Sequence, residues 1–245
     1  ISQVASNDAT VSNTDSSLIS LTGGGLNSIL QVANHNALIT NSQSIITMDG
    51  TTNLISQIAS TDATLNNTTH SLIALTGGGL NSILQGASHD ALITNDGYSR
   101  LTMDGATNLI NQIASNDATI STTNNSVLTM TGTTANSMLQ VAGRDALIVD
   151  DTTAPITMVG PANLISQGAG HDARVANNST ISMTGGGVNS ILQLAGNDAQ
   201  INNNHYNSTI TMNGANNLIS QIASRDATIS TTHNSVFTLT ATGTN

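Results

Sequence analysis

Short runs in which apolar and polar residues alternate one for one recur along the whole of this chain. In Ile210–Gly214, ITMNG, Ile210 and Met212 alternate with Thr211 and Asn213, and the same figure returns as LTMTG, ISMTG and LTMDG. A period of two over a short run bounded by Gly marks a strand with one buried face. A second run of the kind NLISQIA follows, and then a third of the kind DATIS, separated by short Gly, Ala, Ser or Asn arcs. A helical reading fails, because LNSILQVA is only about two turns long and is flanked by Gly triplets and β-branched residues.

These runs belong to an internal repeat. The Gln of N-x-[IM]-x-Q recurs at Gln3, Gln31, Gln57, Gln85, Gln112, Gln140, Gln167, Gln193 and Gln221, at spacings of 26 to 28 residues. Each unit reads I-T-M-x-G-x-x-N-x-I-x-Q-x-A-x-x-D-A-x-I-x and ends in a polar connector such as STTNNS or NNHYNS. One such unit cannot bury its own inner face, whereas stacked units place each strand beside its equivalents above and below. The pattern predicts an all-β fold: a β-solenoid of about nine stacked coils of 26–28 residues over residues 1–245, with three short strands per coil. At about 4.8 Å per coil the rod would be roughly 43 Å tall.

The second strand separates inside from outside. Asn27 and Gln31 recur as Asn53 and Gln57, Asn81 and Gln85, Asn108 and Gln112, Asn136 and Gln140, Asn163 and Gln167, Asn189 and Gln193, and Asn217 and Gln221. This set is expected to face inward, where stacked amides bond one another along the axis and escape the cost of burial. The positions between them alternate from coil to coil. Ser28 and Leu30 give way to Leu54 and Ser56, then to Ser82 and Leu84, so the stretch LTGGGLNSILQ at Leu21–Gln31 returns unchanged at Leu75–Gln85, 54 residues on. The larger repeat is therefore two coils, 54–55 residues. The alternating set, with Leu30, Leu54, Leu84, Leu109, Leu139, Leu164, Leu192 and Leu218, is expected to face outward beside Val32, Ile58, Ile113, Val141, Leu194 and Ile222. An apolar face of that extent points to a lateral interface; the opposite assignment, with the Leu set as core, is the competing one.

Composition narrows the class. All fourteen acidic residues are Asp and all four basic residues are Arg, with one Phe, two Tyr and no Trp, so an aromatic-rich globular core is out of reach. The apolar fraction of 38% is nonetheless too high and too regular for a disordered Ser/Thr/Asn tract. A net charge of −10 argues against nucleic acid and anionic membrane surfaces as partners. Cys is absent, which excludes disulfides and thiolate metal sites, and no apolar run of about 18 residues predicts a membrane-spanning helix. The chain begins at Ile1 without Met, as a processed product or a segment of a longer array would.

Three further features are candidates for function. Strand one carries an outward row of Ser20, Thr47, Ala74, Thr102, Thr129, Thr157, Ser182, Thr211 and Thr238. Beside it stand Thr22, Thr76, Thr131, Thr184 and Thr240, interrupted by Asp49, Asp104, Val159 and Asn213. A flat T-x-T array is similar to the ice-binding face of solenoid antifreeze proteins, although Thr is also a good strand residue. A second row, Asp8, Asp62, Asp90, Asp117, Asp145, Asp172, Asp198 and Asp226, has Asn36 as its one departure. Stacked carboxylates need N–H partners or cations; an Asx-type bond at the arc is the ordinary account, and a row of calcium ions the competing one. The connector after strand three varies in length and content and holds His70, Tyr98, Arg100, His205, Tyr206 and His233, the position for glycan recognition if the chain has one. Sequons such as Asn67-Thr68-Thr69 and Asn207-Ser208-Thr209 are expected by chance in this composition. Catalysis has little support, since His35, His89 and His171 share one arc position with Asn, Arg and Thr and no unique constellation occurs. The chain is not expected to be an enzyme or to need a cofactor, calcium apart.

The core G-x-x-N-x-I-x-Q-x-A-x-x-D-A, with arcs such as GGGLNSILQ, resembles the curlin repeat of bacterial amyloid fibres. The resemblance covers all nine units, although curlin coils are shorter, have two strands, and place Gln where this chain has Met48, Met103, Met130 or Met158. It implies a self-assembling extracellular fibre. The ends fit that expectation: Ile1 falls two residues into a second strand, Asn245 where another would begin, and neither end shows a cap, leaving both edges able to pair. Against simple stacking, the first and last complete units are of the same type, so an end-to-end joint breaks the alternation. The expected function is thus a secreted or cell-surface structural subunit or segment of a fibre or adhesin stalk, a homopolymer joined end to end and laterally. A soluble ice- or glycan-binding solenoid is the alternative.

Overall fold

The computed structural model describes residues 1–245 apart from 24–25, 50–51, 69–70, 77–79, 89, 96–98, 123–126, 143, 151–155, 160–161, 170–171, 178–179, 185–187, 204–208, 215, 232–235 and 242–245. Among the described residues there is no helix, and none is therefore long and apolar enough to cross a membrane. The strands wind into a β-solenoid with three strands per coil, and every pairing between neighbouring coils is parallel. One coil consists of Ile45–Asp49, Thr52–Ala59 and Ala63–Thr68; the next consists of Leu72–Thr76, Leu80–Ala87 and Ala91–Asn95.

Equivalent residues sit on one another. Asn53 pairs with Asn81, Gln57 with Gln85 and Ala59 with Ala87 on the second sheet, and Ala63 with Ala91 on the third. In two coils the first and second strands run on without a break, as Arg100–Ala114 and Val127–Ala142. The third sheet holds nine strands, from Ala9–Asn13 to Ala227–Thr231. Complete coils number slightly fewer than the nine expected. The first turn begins with Ser2–Ala5 in the second sheet and Val236–Ala241 lies alone in the first, so the described strands form eight three-strand coils with an incomplete one at each end.

Burial alternates along each strand and builds a narrow core. A typical coil buries Ile46 and Met48 from its first strand, Ile55 from its second and Leu65 from its third, and these join one apolar column through the molecule. At the corner between second and third strands only Ala fits: Ala33, Ala37, Ala59 and Ala63 pack together there. Three short strands enclose room for medium-sized side chains, which explains why unbranched, adaptable Met fills seven of these buried sites and no ring occurs among the core residues described.

Among the described residues, left-handed backbone at residues other than Gly falls in the connectors from third to first strand. Asp15, Ser16 and Gln43 adopt left-handed conformations, with φ of 59°, 64° and 51°. Each costs conformational energy that Gly would avoid. Ser44, Ser71 and Ser99 close the corner from inside: the Ser17 N–H donates to Ser44 Oγ, Ser44 N–H to Ser71 Oγ and Ser71 N–H to Ser99 Oγ, at 3.1–3.2 Å.

Candidate functional surfaces

The inward Asn and Gln residues of the second sheet form two continuous ladders. Each Gln donates to the Gln of the preceding coil: Gln57 Nε2 reaches Gln31 Oε1 at 3.0 Å, Gln85 reaches Gln57 at 2.8 Å and Gln112 reaches Gln85 at 2.9 Å. The same Nε2 also meets two main-chain carbonyls of the third sheet, for Gln57 those of Ala37 and Thr64 at 2.9 and 2.8 Å. Each Asn donates the other way, to the following coil: Asn53 Nδ2 to Asn81 Oδ1 at 2.8 Å, Asn108 to Asn136 at 2.8 Å and Asn163 to Asn189 at 2.7 Å. It also donates to the carbonyl that ends the next coil's first strand, for Asn53 that of Thr76 at 2.7 Å. The Gln ladder therefore ties the corner between second and third strands, and the Asn ladder ties the corner between first and second.

A third ladder lies outside the repeat unit that the sequence defines. Asn13, Asn41, Asn67 and Asn95 end successive strands of the third sheet and are buried. Asn13 Nδ2 donates to Asn41 Oδ1, Asn41 to Asn67 and Asn67 to Asn95, at 2.8–2.9 Å, and each also meets a carbonyl of the first sheet such as Leu72 O. The sequence unit ends at D-A-x-I-x, which places this Asn in the connector. The signal was present: an Asn five positions after the Asp in DATVSN and DALITN. The ladder is interrupted by Thr122 and Asp150 before it resumes with Asn177 and Asn203.

The Asp row lies at the corner between second and third strands, mostly half-buried. From Asp8 to Asp172 the side chain at this position accepts the main-chain N–H of the equivalent residue one coil on, whereas Asp198 Oδ1 is buried without a partner. Asp90 N donates to Asp62 Oδ1, Asp117 N to Asp90 Oδ1, Asp145 N to Asp117 Oδ1 and Asp172 N to Asp145 Oδ1, all at 3.2–3.3 Å. Asn36 does the same with its Oδ1 toward Asp62 N at 3.3 Å, and its own N–H reaches Asp8 Oδ1 at 3.0 Å. The bond is the one expected of an Asx residue in kind but runs between coils rather than within a turn. Among the described residues no three His or Asp side chains gather to hold a metal ion.

On the outer side of the second sheet, Leu30, Leu54, Leu84, Leu109, Leu139, Leu164 and Leu192 are half-buried and Leu218 is 50% exposed. Beside them Ile58, Ile113, Val141, Leu194 and Ile222 are all more than half exposed. Two shallow hollows open on this face, one among Ser137, Leu164, Ser190 and Leu192, the other among Ser166, Leu192, Leu194, Ser220 and Ile222. On the first sheet the Thr row is half-buried at Thr47, Thr102, Thr129, Thr157 and Thr211, but Ala74 stands within it and exposed Asp49, Asp104 and Val159 flank it. Of the connector residues, Arg100 is exposed at a strand start; His70, Tyr98, His205, Tyr206 and His233 lie outside the described residues, as do His89, His171 and Asn207-Ser208.

No protein-family model matches this chain, and neither does any curated protein or solved structure.

Proposed function

We propose that the chain is a structural rod, a subunit or segment of an extracellular fibre or adhesin stalk in which coils stack end to end. The observation that carries this reading is the set of inward amide ladders. Every coil offers Gln donors on one edge and Asn donors on the other, with matching acceptors opposite, so one coil completes the bonding of the next whatever its place in the array. That complementarity is head-to-tail and does not close on itself, which is the condition for an open filament rather than a ring. The same bonds serve whether the adjoining coil belongs to the same chain or to another. Placement outside a bacterial-type cell rests on the likeness of the G-x-x-N-x-I-x-Q core to curlin.

Electron microscopy and fibre diffraction of the purified protein test it. Filaments with an axial spacing of about 4.8 Å are expected. A protein that remains free of filaments at every concentration, with and without calcium, overturns end-to-end assembly. Ice-recrystallisation and glycan-binding activity in that protein would move the reading to the Thr row or the connectors, a surface made less regular by Ala74, Asp49 and Asp104.

A further inference from the structure

The outer surface of the second sheet has a symmetry of its own. Two neighbouring outward positions carry one Leu and one small residue, and their order reverses at each coil: Ser28 then Leu30, Leu54 then Ser56, Ser82 then Leu84. Ser82 and Ser190 are only 4% and 8% exposed, sunk between the Leu side chains around them, and the two hollows on this face lie at such Ser positions. The face is therefore a board of knobs and holes repeating every two coils, about 9.6 Å.

From this pattern we infer that the face binds a second copy of the same chain, side by side and in the same direction, about a two-fold axis parallel to the solenoid. Such an axis, running between the two alternating positions, sets each coil against its own equivalent with strand direction reversed. Leu54 then stands over Ser56 of the second copy, Ser28 under its Leu30 and Ser137 under its Leu139. Every coil with a Leu/Ser pair matches a knob to a hole without any slip along the rod. In one coil the next outward positions also fit by size, since Leu80, 40% exposed, falls over Gly86, which offers no side chain; elsewhere they set apolar against apolar, as at Leu26 with Val32 and Val188 with Leu194. Reversing the second copy end for end at full overlap sets Leu against Leu, as at Leu54 and Leu164, and is relieved only by sliding one coil.

Area and charge point to the same occupant. Eight rungs of strands eight residues long present on the order of 1,000 Å² per copy, compared with about 800 Å² per partner in a standard stable interface. Two chains of charge −10 repel, so their contact needs a surface free of carboxylates. The outward positions of this sheet carry no Asp or Arg, while the first sheet exposes Asp49 and Asp104. A two-coil spacing of knobs is matched by another board of that same spacing, as dry interdigitated sheets require.

This inference goes beyond the function proposed above, giving the outward Leu face expected to make lateral contact a defined partner, and is independent of end-to-end stacking. Sedimentation velocity is the test, with two variants. A knob variant, Ser82→Leu with Ser137→Leu and Ser190→Leu, sets the added side chains against Leu84, Leu139 and Leu192 of the other copy. A hole variant, Leu84→Ser with Leu139→Ser and Leu192→Ser, removes those knobs. The wild type is expected to be dimeric; each variant alone should dimerise about ten-fold or more weakly, from overpacking or lost contact. Mixed in equal amounts they should form a heterodimer approaching wild-type affinity, because the added Leu side chains meet the added Ser positions. Circular dichroism and the thermal midpoint should remain close to wild type, since Leu already occupies equivalent outer sites in adjacent coils. A monomeric wild type, or a knob variant that dimerises unchanged, overturns the interface; variants that weaken but do not rescue one another overturn the parallel two-fold axis. Filaments without dimers would sink this inference alone, and dimers without filaments the end-to-end reading alone.

Discussion

The Gln ladder of the second sheet and the Asn ladder of the third are built on the same principle and differ in completeness. The Gln ladder is continuous from Gln3 to Gln221. The Asn ladder breaks at Thr122 and Asp150, and the break leaves polar atoms stranded: Thr122 Oγ1 and Asn177 Oδ1 are buried without a hydrogen-bond partner. The difference follows from what each ladder holds. A Gln donates at once to its neighbour and to two carbonyls at a tight corner, so its loss strands several groups in every case. The Asn of the third sheet ends its strand, beside connectors whose sequence varies in length and content from coil to coil.

The largest expected effect comes from breaking the intact ladder. Gln112→Leu removes the donor to Gln85 Oε1, Ala91 O and Thr119 O and the acceptor for Gln140 Nε2. It should cost about 3–5 kcal/mol of unfolding free energy in denaturant titration, at about 1–3 kcal/mol per stranded buried group. A cost below 1 kcal/mol would mean that the ladder is incidental to the stack.

Mending the interrupted ladder should act in the opposite direction. A carboxylate has no N–H to offer Asn177 Oδ1, and Thr122 is too short to continue an amide ladder. Thr122→Asn combined with Asp150→Asn is expected to raise stability by about 1–3 kcal/mol through the newly satisfied buried groups. An unchanged midpoint would show that the interruption costs the stack nothing.

Smaller effects separate chemistry from charge at the Asp row. Because Asn36 accepts the Asp62 N–H as the carboxylates do, Asp117→Asn should change stability by less than about 0.5 kcal/mol, whereas Asp117→Ala should cost about 1 kcal/mol by leaving Asp145 N–H without its acceptor. Equal losses from both would assign the row a role that needs negative charge, such as cation binding. Smallest of all, Gln43→Gly should stabilise the connector by under about 1 kcal/mol, relieving a left-handed residue with an exposed side chain.

Much of the fold could be read from the residues because alternation is local: ITMNG, NLISQIA and DATIS declare their own strands, and their return every 26–28 residues declares the stack. The row of Asp was equally plain. The third ladder escaped, although Asn13, Asn41 and Asn67 stand in line, because the polar residues following them made the Asn look like the first residue of a connector. The offset between complete coils and counted repeats escaped too, since a motif centred on Gln scores a rung that contains only two strands.

The sequence by itself determined the period of the coil, the three strands within it, and the two-coil alternation of the outer Leu and Ser, all of which are properties of neighbouring positions along one chain. Only the tertiary structure decided that Gln amides donate toward the preceding coil and Asn amides toward the following one, that Asp accepts the N–H of its own equivalent, and which corner each ladder closes. Those choices depend on acceptors that lie a full coil away along the chain. Their direction is set when one coil is laid on another, and no pattern within a single coil specifies it.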